Sequence, residues 1–127
     1  MSFNALFLAY APDADKDKHR SSISTDKYYN LNVVVVKNLN EAVDVCSSMV
    51  KTKNLDIVLL CPGFTHPDVA EIVKATDNKV SVCVAREDWP GNELSLEARK
   101  REGIPEAIER NVIVGNIVDK VKDKLKR

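Results

Sequence analysis

Three observations predict an α/β domain built on a mostly parallel sheet. Short runs of β-branched and aliphatic residues alternate with stretches whose apolar residues recur every three or four positions. The strongest run, Val33-Val34-Val35-Val36, is continuous, which suits a strand covered on both faces. A third run, Asp56 to Leu60, passes through Cys61-Pro62-Gly63 directly into a helix start, the junction expected inside a βαβ unit. With 127 residues the chain reads as a single domain that can bury a core without disulfides or metal.

The first strand is Phe3 to Tyr10, stopped by Ala11-Pro12-Asp13. The polar stretch Lys16 to Ser22 reads as a short helix or helical turn. Leu31 to Val36 forms the second strand, closed by Lys37-Asn38. Leu39, Ala42, Val43, Cys46, Met49 and Val50 then make one stripe of an amphipathic helix, with Asn38 or Asn40 as cap and Glu41 in its first turn. The central strand, Ile57 to Leu60, leads to a helix carrying Val69, Ala70, Ile72 and Val73. Thr65 and Asp68 have the spacing of a capping box at its start, and Thr76-Asp77-Asn78 ends it. Val80 to Val84 is the next strand, followed by the turn-rich loop Arg86 to Asn92.

Glu93 to Glu102 reads as a helix ended by Gly103, with Pro105 suited to open another turn. Val112-Ile113-Val114 fits a short fifth strand, or part of one bent helix running through Gly115. The N-x-x-D pattern from Asn116 to Asp119 favours the strand, with a final helix whose stripe is Ile117, Val118, Val121 and Leu125.

Strands alternating with helices imply right-handed crossovers and helices on both faces, a single three-layer domain over residues 1–127. The expected strand order is flavodoxin-like or Rossmann-like, 2-1-3-4, with a fifth strand at the edge. That order reverses between the first and third strands. Loops 11–20 and 61–66 would therefore flank one crevice outside the carboxyl ends of the strands.

Composition narrows the function classes. Nineteen basic residues balance nineteen acidic ones, so no global field draws the chain to nucleic acid or an anionic membrane. Lys120, Lys122, Lys124, Lys126 and Arg127 interleave with Asp119 and Asp123, the pattern of a solvated helix face. Three cysteines without CxxC spacing argue for free thiols and a cytoplasmic setting. Ala9-Tyr10-Ala11 mimics a signal-cleavage triplet, but no Lys or Arg precedes Phe3 and the apolar run is too short to span a bilayer. It reads as the first core strand.

The chemistry-bearing residues cluster at predicted strand ends. Cys61, between a buried strand and a helix N-terminus, is a nucleophile or an anion-contacting thiol with His66 as its base, or else a small residue filling the strand end. Gly63 permits close backbone approach, and the amides of Phe64, Thr65 and His66 could hold a phosphate or carboxylate. Lys18, His19 and Arg20 either place positive charge over the crevice or form a solvated face. Arg86 is a further anion contact, or an ion-pair partner of Asp88. Trp89 covers a ligand or anchors its loop.

Several chemistries are excluded. A C-x5-R phosphatase loop from Cys61 would need arginine where Pro67 stands. The P-loop and the dinucleotide glycine fingerprint are absent. A receiver domain would carry aspartate where Leu60-Cys61 sits. His19 and His66 lack metal-ligand spacing, and no motif identifies a cofactor. Asp17 to Ser22 nearly repeats the D-x-H-x-x-G signature of cobalamin-binding domains, but Ser22 replaces the glycine and no companion motif follows. The leading expectation is a small-ligand protein, catalytic or not, that binds an anionic metabolite. The alternative is a non-enzymatic oligomeric or regulatory interaction subunit, a homo-oligomer through the tail stripe.

The segments Ala11-Pro12-x-Ala14-Asp15-x-x-Lys18-His19-Arg20, Asn40-Glu41-Ala42-Val43 and Leu60-Cys61-x-Gly63-Phe64, with Val80 to Arg86, resemble a family of small bacterial-type α/β proteins known mainly as a domain of unknown function. The resemblance covers about the first ninety residues. It implies that Lys18, His19, Arg20, Cys61, Gly63, Phe64 and Arg86 belong to the family pattern, and it supplies no activity. Pro62 stands where members usually carry a second glycine, and the segment from Glu93 onward reads as an extension.

Overall fold

The computed structural model describes residues 2–105. One sheet contains β1 (Phe3–Tyr10), β2 (Arg20–Ser24), β3 (Tyr29–Val36), β4 (Ile57–Leu60) and β5 (Ser81–Val84). The helices are α1 (Leu39–Thr52), α2 (His66–Ala75) and α3 (Gly91–Arg101). The strand order is β2-β3-β1-β4-β5. Strands β3, β1, β4 and β5 are parallel neighbours, the block that the sequence predicts as 2-1-3-4.

Among the described residues the fifth strand is β2, which pairs antiparallel with β3. Of the short helix or helical turn expected over Lys16 to Ser22, the turn forms up to His19, while Arg20 to Ser22 belong to β2. That single turn is closed by the His19 amide donating to the Asp15 carbonyl at 2.8 Å, and the chain then runs into the hairpin. Every β2 residue is exposed, so no buried stripe marks it in the sequence; backbone pairing with β3 holds it. Residues 112–114 and the final helix stripe lie outside the described residues.

The core sits on one face of the sheet. Parallel register places Leu6, Leu8, Val34, Val36, Val58 and Leu60 on that face, each at most 1% exposed. They pack against Ala42, Cys46 and Met49 of α1 and Ile72 of α2 in one cluster. Both crossovers, β3-α1-β4 and β4-α2-β5, step the same way along the sheet, so right-handedness puts both helices on the same side. Among the described residues neither helix covers the opposite face, where a second helical layer is expected.

Local caps fix where each helix begins. The Asn38 side chain accepts from the Glu41 amide at 2.8 Å, while Glu41 Oε1 accepts from the Lys37 amide at 3.0 Å. At α2, Asp68 Oδ2 accepts from the Thr65 amide at 2.8 Å and Thr65 Oγ1 accepts from the Asp68 amide at 3.4 Å, the predicted capping box. Asp77 and Asn78 take positive φ angles of 54° and 56°, the left-handed backbone that ends α2.

Candidate functional site

The carboxyl ends of the four parallel strands form a common rim. The ladder continues one residue past three strands: the Ala11 amide donates to Val36, Cys61 to Leu8 and Ala85 to Leu60, at 2.8–3.0 Å. Loops 11–19, 61–65 and 85–90 therefore emerge on the same side of the sheet. Within this rim lies a hollow of about 170 Å³. Tyr10, Cys61 and Gly63 line it from the ends of β1 and β4, Glu87 from the loop after β5, and Ser95 and Arg99 from α3.

Glu87 brings the least satisfied group. Its Oε1 is buried and has no hydrogen-bond partner among the described residues. A carboxylate oxygen left dry and unpaired is costly, and such groups mark places where a ligand or water belongs. Arg99 supplies the opposing charge and is half-buried; its Nε donates only a long 3.5 Å bond, to the Ser95 carbonyl.

Sequence-predicted residues divide between this hollow and other places. Cys61, half-buried, and Gly63 line it. Phe64 is 4% exposed and belongs to the core cluster, a plug beneath the turn. The Phe64 amide donates to the Cys61 carbonyl at 3.2 Å, and the Thr65 amide is held by Asp68. The N-terminal end of α2 thus already carries an anion of its own, the carboxylate of Asp68, which is 1% exposed. His66 is exposed at the first residue of α2 and does not line the hollow.

Arg86 and Lys18-His19-Arg20 share the rim but not the hollow. Arg86 is 85% exposed and donates to Asp88 at 2.7 Å, a solvated ion pair worth little by itself. Trp89 is 73% exposed on the same loop. His19 lies beside β3: its carbonyl accepts from the Val35 amide at 2.9 Å and its Nδ1 accepts from the Asp15 amide at 2.8 Å. Three strand spacings separate β3 from β5, roughly 14 Å. Arg20 donates through Nε to the Lys16 carbonyl at 2.8 Å and lines a separate hollow of about 290 Å³ with Asn32, Met49 and Lys53.

Among the described residues two ionisable groups have shifted proton affinities. The Asp15 carboxyl lies below its ordinary range, chiefly through the Asp17 amide that donates to it at 2.9 Å, with help from the Lys18 amide and the charges of Lys18 and His19. Burial pushes the Cys46 thiol up to about 12, as fits a packed core group. Among the described residues no three His, Cys, Asp or Glu side chains come together in a way that could hold a metal. No helix among them is long and apolar enough to cross a membrane.

A protein-family model described as a family of unknown function, DUF6506, matches residues 3–98. The chain belongs to this family. Membership covers all five strands, α1, α2 and most of α3 of this DUF6506 protein. Tyr10, Cys61, Gly63, Glu87 and Ser95 of the hollow fall inside the matched residues, and Arg99 lies just beyond them. No curated protein and no solved structure matches the chain.

Sequence reasoning missed Glu87, Ser95 and Arg99. Ser95 and Arg99 are four apart on α3, so they share a face of that helix. That spacing was available in the sequence, but nothing local indicated that α3 would turn this face toward the ends of β1 and β4.

Proposed function

We propose that this DUF6506 protein binds a small polar ligand in the rim hollow, one that carries an anionic group and a hydrogen-bond donor. The single observation behind this reading is Glu87 Oε1, buried in the hollow's lining without a partner among the described residues. A hydroxyl or amino group on the ligand satisfies that oxygen, while Arg99 takes a carboxylate or phosphate. A hollow of about 170 Å³ limits the ligand to the size of a small hydroxy or amino acid, below the range of nucleotide pockets. Cys61 and Gly63 border the ligand on the strand side. His66 stands outside the hollow, so the reading is one of binding rather than of a Cys-His nucleophile pair.

A thermal-shift screen of small hydroxy acids, amino acids and phosphates tests this. At a ligand concentration a hundredfold above Kd the folded state gains about 2.7 kcal/mol, which raises the melting temperature by several degrees. The rise is expected to vanish in Arg99→Ala and in Glu87→Gln and to persist in Arg86→Ala. A screen with no stabilising compound, or a shift that survives both hollow variants, would overturn the reading.

A further inference from the structure

Among the described residues that line the rim hollow, two carry charge, Glu87 and Arg99, and their signs are opposite. No ion pair within 4.0 Å joins them to each other or to another described residue. Glu87 Oε1 is buried with no donor, and Arg99 Nε has only the 3.5 Å bond to the Ser95 carbonyl of its own helix. On the solvated part of the rim the same kinds of charge do meet, for Arg86 and Asp88 close to 2.7 Å. The hollow thus keeps a positive and a negative group apart, each short of a partner.

The rest of the described lining is neutral. Tyr10, Pro62, Ile104 and Pro105 bring carbon-rich surface. The two charges sum to zero, so a ligand with net charge leaves one of them without compensation. A hydroxy acid answers Arg99 and gives Glu87 a neutral donor, but the carboxylate still lacks an opposing charge. A phosphate dianion sets more negative charge beside Glu87. An ammonium group supplies donors and the opposite charge together. In an α-amino acid its nitrogen lies about 2.5 Å from the carboxylate carbon, across one tetrahedral centre. Such a molecule, hydrogen-bonded at each end, spans two side chains that do not themselves meet.

Resting on the reading of the hollow as a binding site, we propose that its ligand class is the free small α-amino acid, held as a zwitterion. The ammonium group sits on Glu87, the carboxylate on Arg99 and the side chain against Tyr10, Pro62, Ile104 and Pro105. Charge then sets the selectivity. Hydroxy acids and simple amines each satisfy one end, and an amino acid with a charged side chain brings a third charge that no described lining residue answers.

Isothermal titration calorimetry on the full chain tests this with alanine, serine and valine. Each is measured beside its α-hydroxy counterpart (lactate, glycerate, α-hydroxyisovalerate) and its decarboxylated amine. The best-bound amino acid is expected to bind at least about tenfold more tightly than either counterpart. Glu87→Gln keeps the shape and an acceptor but removes the charge, and it is expected to bring the amino acid down to the level of the hydroxy acid. Arg99→Ala is expected to abolish binding of both acids, with circular dichroism confirming that each variant folds. The ratio in the native chain needs no variant, so a misfolded one does not shield the proposal. A hydroxy acid that binds as tightly as its amino acid, with binding still lost in Arg99→Ala, overturns the zwitterion and leaves the hollow as a binding site. A preference for the amino acid that Glu87→Gln leaves unchanged does the same. Binding by none of these compounds, or binding that survives both variants, overturns the site and the zwitterion together.

Discussion

Leu60→Ala is expected to destabilise the protein by about 2–5 kcal/mol, the range for deleting a buried leucine side chain. Leu60 is 0% exposed and sits on β4 between β1 and β5, opposite Leu8 and Val84. Its side chain belongs to the cluster that joins the sheet to α1 and α2. The substitution removes transfer free energy and leaves a void that rigid strand neighbours cannot fill. Domains of this size hold only about 5–15 kcal/mol in total, so a substantial share of the molecules would unfold at modest urea. Leu94→Ala, at a position 65% exposed on α3, should shift stability by no more than about 0.5 kcal/mol. Urea denaturation of the two variants decides the matter, and equal losses would contradict the assignment of the core.

The second large effect is alkaline. Cys46 is fully buried among Ala42, Met49 and the sheet, and its thiol titrates near 12 in place of the ordinary 9.0. Between those values the unfolded chain has released its proton and the folded chain has kept it. The unfolded state then binds fewer protons, so stability falls as pH rises. The contribution is intact below pH 9 and declines by about 1.4 kcal/mol per unit above it. At pH 10.5 the loss should reach about 2 kcal/mol relative to pH 8. Cys46→Ala removes this component, so its denaturation midpoint should fall less steeply over the same interval. A variant as pH-sensitive as the native chain would show that other groups set the alkaline limit.

What the sequence made legible was whatever burial had written into it. Val33 to Val36, the stripe from Leu39 to Val50 and the run Ile57 to Leu60 all announce themselves because each must shield apolar surface from water. The Asn38 and Thr65 caps were readable for a similar reason, since unpaired amides at a helix start demand particular side chains. β2 left no such trace: Arg20 to Ser24 face solvent throughout and are defined by pairing with a strand whose position is a tertiary fact. The site divides along the same line. Cys61 and Gly63 follow directly from a strand-turn-helix junction. Glu87 and Arg99 depend on how the loop after β5 and α3 fold over the strand ends, which no local pattern encodes. Arg86, one residue before Glu87, shows how narrow the margin is, for it projects into solvent and pairs with Asp88.

The placement of ligand chemistry in the rim hollow is tested most directly by amide chemical-shift mapping on the isotope-labelled full chain, titrated with the strongest stabiliser from the small-acid screen. Shifts are expected to concentrate at Cys61, Gly63, Glu87 and Ser95, with Arg20, Ser22 and Asn32 unmoved. Perturbations gathered around Arg20 and Asn32, or none above the level of a salt control, would contradict it.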